Sequence, residues 1–230
     1  MPVSIDIIGS FLKGVGWFGL LWLALPALLL FWPQNKILQS ISRHVIDIID
    51  TISIGFGELI KWGLPLLILS VAFSVFALSL FGLSWTKLSE SSHYFHAAVI
   101  MLGASMTLLM NDHVRVDILQ SRYSRPRKAL VDFTGFYAAI IPVCLLILWS
   151  SGSFVRFGWQ IFEGSAEADG IKGVFLLKTL IPMFAILMLA QGLSIALRAV
   201  MVMRGLTEPE RPKGIPDLFP EPTRRSDHSA

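Results

Sequence analysis

Trp62-Gly63-Leu64-Pro65-Leu66-Leu67-Ile68-Leu69-Ser70-Val71-Ala72-Phe73-Ser74-Val75-Phe76-Ala77-Leu78-Ser79-Leu80-Phe81-Gly82-Leu83-Ser84-Trp85 carries no charged side chain. At about 1.5 Å of rise per residue, a helix over this stretch bridges a hydrocarbon core of about 30 Å with some tilt. Tryptophan stands at each end, where an amphipathic ring is stable between water and lipid. Lipid offers backbone N–H and C=O groups no partner, so the stretch must close on itself as a helix. Three further runs share this character. Tyr94–Met110 is short and uncharged. Ala129–Trp149 has only Asp132 near its start, and Val174–Ala199 only Lys178 near its beginning and Arg198 near its end. The fold class that follows is an all-α integral membrane bundle of four transmembrane helices.

Composition agrees. Hydrophobic residues make up 54% of the 230 positions and charged residues 15%, against about 25% charged in a soluble domain. The deficit lies in the long apolar runs. The net charge of +3 is small, and the basic residues form short clusters beside apolar helices. That distribution argues against nucleic acid and for a lipid bilayer as partner. The single cysteine, Cys144, excludes a disulfide within the chain.

Before these runs lie two segments of different type. Val15–Trp32 is apolar, and no small-x-small cleavage site follows Trp32-Pro33-Gln34-Asn35, so it is read as a retained helix. Its length is at the bottom of the spanning range, and both a spanning and an interfacial placement fit. In 36–60, Ile37, Ile41, Val45, Ile48, Ile52, Phe56 and Leu59 recur at spacings of three and four. Lys36, Gln39, Arg43, His44, Asp47, Asp50 and Glu58 fill the other faces. The pattern predicts an amphipathic helix lying in the cytoplasmic interface, apolar face toward lipid, or else packed on a partner protein. The expected organisation is 1–35 as an N-terminal hydrophobic helix, 36–61 as the interfacial helix, 62–203 as the four-helix domain and 204–230 as a cytoplasmic tail. The tail holds five of the twelve prolines and many charges, and its composition predicts disorder.

Positive charge sets the orientation. Arg115, Arg122, Arg125, Arg127 and Lys128 crowd the loop at 111–128, and Arg204, Arg211, Lys213, Arg224 and Arg225 the tail. The segment 86–93 has only Lys87, and 150–173 balances Arg156 and Lys172 against Glu163, Glu167 and Asp169. The first two are predicted inside and the last two outside.

Charges buried in lipid mark function by default. The middle thirds of the four runs hold none; Asp132, Arg156, Lys178 and Arg198 are expected to reach the headgroups from near the ends. Gln191 is the most central strong hydrogen-bonding side chain, and a bond to a neighbouring helix accounts for it. His93 and His96, an i,i+3 pair, have the spacing of metal ligands but sit where an interfacial role is the simpler reading. His113 lies more than about 20 Å away by helical rise, so haem between facing helices would need a second chain. No phosphate loop, paired carboxylates or clustered nucleophile is present, and neither an enzyme active site nor a cofactor is expected.

The stretch Asn111-Asp112-His113-Val114-Arg115-Val116-Asp117 closes the second run, and Ser124-Arg125-Pro126-Arg127-Lys128-Ala129, with Asp132, opens the third. Read physically, this is a tight, basic cytoplasmic turn in which Arg115 and Asp117 pair with each other or with a partner. The five residues His113–Asp117 also resemble the signature of the small membrane subunit of tripartite ATP-independent periplasmic (TRAP) transporters, the DctQ-like family. Leu102-Gly103-Ala104 before it, and Ser124–Ala129 with Asp132 after it, resemble the same family, and Glu163-Gly164-Ser165, Leu177-Lys178, Pro182 and Gln191-Gly192 resemble the subgroup linked to mannitol, chloroaromatic compounds and organic acids. The resemblance covers about 36–200. It departs where Ser92, His93 and Tyr94 follow Glu90, and in the run 15–32.

The resemblance implies a non-catalytic subunit in the bacterial inner membrane. It would widen the scaffold of a large, sodium-driven, elevator-type subunit and help dock a periplasmic binding protein. Contacts for the turn or subunit interface are then sought at His113, Arg115, Asp117, Arg125, Arg127, Asp132 and Gln191. Docking is sought at Glu163, Glu167 and Asp169. The competing reading from another class is a membrane anchor of a redox enzyme.

Overall fold

The computed structural model describes residues 21–111 and 123–219. Among them are seven α-helices: α1 (Leu25–Phe31), α2 (Lys36–Ile60), α3 (Gly63–Phe81), α4 (Thr86–Leu109), α5 (Arg125–Gly135), α6 (Ile141–Gln160) and α7 (Val174–Met203). A π-helical turn, Phe136–Ile140, joins α5 to α6. No strand occurs among the described residues. Four helical stretches are long and apolar enough to cross a membrane: Lys36–Phe81, Thr86–Leu109, Arg125–Gln160 and Val174–Met203. The four-span, all-helical expectation therefore holds, with longer helices than the apolar runs alone indicate.

The boundaries follow from local chemistry. The Asn35 side chain accepts from the backbone N–H of Ile37 at 3.0 Å and of Leu38 at 3.3 Å, capping α2. The α2–α3 break falls at Lys61–Trp62, the residues four and three before Pro65, whose ring excludes the carbonyl four residues earlier. Gly82, at φ 64°, ends α3 in a left-handed cap, with Leu83 N–H donating to the Ala77 carbonyl at 3.1 Å. The π turn sits just ahead of Pro142, where a wider turn accommodates the same proline clash.

The helix α4 begins at Thr86, eight residues before the apolar run. Its polar first turns are held by hydroxyls: Ser91 Oγ lies 2.7 Å from Ser70 Oγ, and Ser89 Oγ 3.0 Å from Ser74 Oγ, both on α3.

The last helix is the axis of the molecule. It packs against α1, α2, α4, α5 and α6, whereas α3 packs chiefly on α4. One apolar cluster joins Leu25 and Leu29 of α1, Ile46 and Ile49 of α2 and Phe136 to Leu193, Ala196, Leu197 and Val200 of α7. A second joins Leu108, Ala129, Ile195 and Ala199 to Leu218 and Phe219. Ile68, Leu69, Phe76, Leu80 and Phe81 of α3 are exposed on the surface, as befits a lipid- or protein-facing helix.

The apolar stripe of α2 is on the outside, with Ile37, Ile48 and Leu59 exposed, while the face packed into the protein is the mixed one of Ser42, Ile46, Ile49, Asp50 and Ser53. The tail is also packed as far as it is described: 204–219 form no helix, yet Leu218 and Phe219 are buried. Its proline and charge content prevents a core of its own, but an apolar pair fits a slot that the helices already provide. The expectation for 15–32 lies in part outside the described residues, and so does the remainder of the tail.

Candidate functional site

Three groups of polar side chains stand out, and the buried one matters most. Gln191, Ser194 and Arg198 recur at i, i+3 and i+7, which places them on one face of α7. Asp50 and Ser53 recur at i and i+3 on the facing side of α2. All five are buried. Arg198 Nη2 donates to Asp50 Oδ2 at 2.7 Å. Ser194 Oγ donates to Asp50 Oδ1 at 2.7 Å, and Gln191 Nε2 to the same oxygen at 3.2 Å. Ser53 Oγ donates to Gln191 Oε1 at 2.7 Å. The carboxylate thus has partners on both oxygens, the condition under which a buried charge persists.

This corrects the sequence reading of Arg198. Its side chain is 1% exposed and does not reach the headgroups. Length made snorkelling plausible, but an acceptor on α2 captures the guanidinium first. Gln191 does bond to a neighbouring helix. The partner the sequence does not single out is Asp50, one of several polar residues off the apolar stripe; Ser42, Asp50 and Ser53 form a second, polar stripe that the same periodicity contains.

The second group lies at the end of the bundle that carries Trp85 and the 161–173 loop. The Glu90 carboxylate accepts from Ser165 Oγ and, at 2.6 Å, from Ile171 N–H. A Cβ on Gly170 would overlap Ser165 and that carboxylate, so only glycine fits there. Glu163 pairs with Lys178, whose ammonium also lies 3.8 Å from the centre of the Phe154 ring. Trp159 Nε1 donates to Thr179 Oγ1 at 2.9 Å. Of the three acids singled out for docking, Glu167 and Asp169 are exposed, whereas Glu163 is half-buried against Lys178. His93 and His96 are both exposed.

The third group occupies the opposite, basic end. Arg125 Nη2 meets Glu208 Oε1 at 2.8 Å. Arg43 Nη2 donates to the Thr207 carbonyl at 3.3 Å, and Arg204 Nη2 to the Leu30 carbonyl at 2.6 Å. Burial pushes the Glu208 carboxyl above its usual range, with Arg125 opposing. Burial, and then the neighbouring Arg198, lower Arg211. Arg127 is exposed and Asp132 half-buried. His113, Arg115 and Asp117 lie outside the described residues.

These groups tie the helices and their connections to one another. Among the described residues, no three His, Cys, Asp or Glu side chains meet as metal ligands would. Across the same helices, residues 67–203 match the family profile described as tripartite ATP-independent periplasmic transporters, DctQ component. The chain belongs to this family. No curated protein and no solved structure gives a match. A DctQ component is a part of a transporter and not an enzyme, and it works with a large membrane subunit and a periplasmic binding protein. In this DctQ-family chain the matched region begins in α3 and ends with the last residue of α7, so it includes Gln191, Ser194 and Arg198 but not Asp50.

Proposed function

We propose that the chain is the small membrane subunit of a sodium-driven TRAP transporter for organic acids. It braces the large elevator-type subunit and helps to seat the binding protein. The observation that carries this reading is how the helices use their charges. Arg198 is matched by Asp50 and Lys178 by Glu163, each inside the chain, while α3 presents apolar side chains outward. A protein that moves cargo keeps polar groups open to a pathway; a brace satisfies them internally and offers an oily surface.

The basic end faces the cytoplasm in this reading, by the excess of Arg and Lys there, with the C-terminus inside and the protein in the bacterial inner membrane. The 161–173 loop then faces the periplasm, with Glu167 and Asp169 toward the binding protein. His113, Arg115 and Asp117, with Arg125, Arg127, Asp132 and Gln191, are assigned in this reading to the contact with the large subunit.

Co-expression with a large subunit tests it directly. The expected result is a complex that survives detergent, and sodium-dependent uptake in liposomes only when both chains and the binding protein are present. Uptake by this chain alone would refute the assignment.

A further inference from the structure

Residues 204–219 contain no helix, yet they are tied to three helices in turn. Arg43 of α2 donates to the Thr207 carbonyl at 3.3 Å. Arg125 of α5 meets Glu208 at 2.8 Å. Arg198 of α7 donates through Nη1 to the Pro209 carbonyl at 2.8 Å. Beyond these ties, Leu218 and Phe219, 2% and 0% exposed, fill the slot between Leu108 of α4, Ala129 of α5 and Ile195 and Ala199 of α7.

Arg198 is shared between this segment and the buried centre. Nη2 serves Asp50 and Nη1 serves Pro209. A guanidinium is a rigid planar fork, so one orientation must satisfy both acceptors. Its Nε has no partner among the described residues, which makes either bond costly to lose. Displacing Asp50 turns the fork away from the Pro209 carbonyl. Undocking the segment leaves a buried donor unfilled beside Asp50.

We propose that residues 204–219 form a clasp over the basic end of the bundle, latched by Arg198. The docking of the clasp and the packing of α2 on α7 stabilise each other. Leu108 precedes, and Ala129 follows, residues 112–122, so the seated Leu218–Phe219 pair also joins the helices on either side of that segment.

Cysteine accessibility in the full-length protein tests this, in a Cys144→Ser background. Leu218→Cys reports the slot and Lys213→Cys, at an exposed position, provides the reference. The expected result is that a water-soluble maleimide modifies position 218 about tenfold or more slowly than position 213. Adding Arg198→Lys keeps a cation for Asp50 but removes the fork. Position 218 should then react about tenfold or more faster, the change expected from losing one hydrogen bond to a charged group. Equal rates at 213 and 218 in the starting background would overturn the clasp. Unchanged protection at 218 in a folded Arg198→Lys protein would overturn the latch. If Arg198→Lys does not fold, the reciprocal experiment decides: a chain ending at Gly205 should unfold at a lower temperature than the full chain. Its loss should also be non-additive with that of Asp50→Ala. Identical unfolding midpoints, or strict additivity, would refute the coupling.

Discussion

Removing the carboxylate of Asp50 leaves the Arg198 guanidinium buried with no anion, whereas removing both groups leaves no buried charge, only the neutral donors of Ser194 and Gln191 and the Pro209 carbonyl without those partners. The two cases differ because a lone buried charge carries its full desolvation penalty, while a pair has already offset it. Asp50→Ala should therefore destabilise the protein by about 3–5 kcal/mol, seen as a fall in the unfolding midpoint in detergent. The double substitution Asp50→Leu with Arg198→Met should recover most of that loss. A double variant no better than the single one would show that the pair supplies more than charge neutralisation. The sequence held half of this. Gln191 was identifiable as a bond to another helix because a lone amide in an apolar run needs a partner. Asp50 was not, because it is one of several polar residues off the apolar stripe, and the second stripe of Ser42, Asp50 and Ser53 gains meaning only once α7 lies against it.

The helix α7 approaches its neighbours closely enough that single methyl groups matter. A Cβ at Gly192 would lie 2.8 Å from Phe136 Cδ2 and 3.2 Å from Ile140 Cγ2. Phe136 is buried in the π turn and cannot move aside. Gly192→Ala is expected to cost about 1–3 kcal/mol by overpacking. Gly57→Ala makes an equally short approach, 2.7 Å to Met106 Cγ, but a methionine swings away and alanine favours the helix. That variant should remain within about 0.5 kcal/mol of the parent. Similar melting shifts for the two would refute the distinction. The tail adds a pH test. Burial raises the Glu208 carboxyl, with Asp217 adding to the rise while Arg125, Arg198 and Arg211 oppose it. Its stabilising contribution is therefore full below the ordinary value of 4.5 and is lost as pH rises through the raised value. Protection of the tail from protease should strengthen on acidification from neutral pH, and Glu208→Gln should remove that dependence. Weaker protection at lower pH would show that the bond to Arg125 dominates. Helix existence was legible from long apolar runs with charges only near their ends. Helix ends were less so, since Thr86–His93 is helical through hydroxyl bonds to α3 that no run of hydropathy records.

For the molecule as a whole, hydropathy carried the four-helix architecture, because the bilayer restricts a chain to few architectures, and the order of short motifs carried the family resemblance. The placement of the tail escaped the sequence: composition shows that 204–219 cannot form a core, not that Leu218 and Phe219 fit a slot made elsewhere. The same limit applies to the 161–173 loop, where three acids look equivalent in sequence. Lys178 neutralises Glu163, so its charge does not project to a partner, while Glu167 and Asp169 remain exposed. Docking electrostatics should follow this division. Exposed charges at the edge of an interface act mainly on association rate and its salt dependence. Glu167→Gln with Asp169→Asn should slow association of the binding protein with the assembled membrane complex by several-fold at low salt and much less at high salt, with dissociation unchanged. Glu163→Gln should instead lower thermal stability, by leaving Lys178 unmatched beside Phe154, and leave the association rate alone. Surface-immobilised complex and a salt series would measure both. An effect on association from Glu163→Gln but none from the double variant would place the docking surface on the wrong residues of this loop, and an effect from neither would move it off the loop.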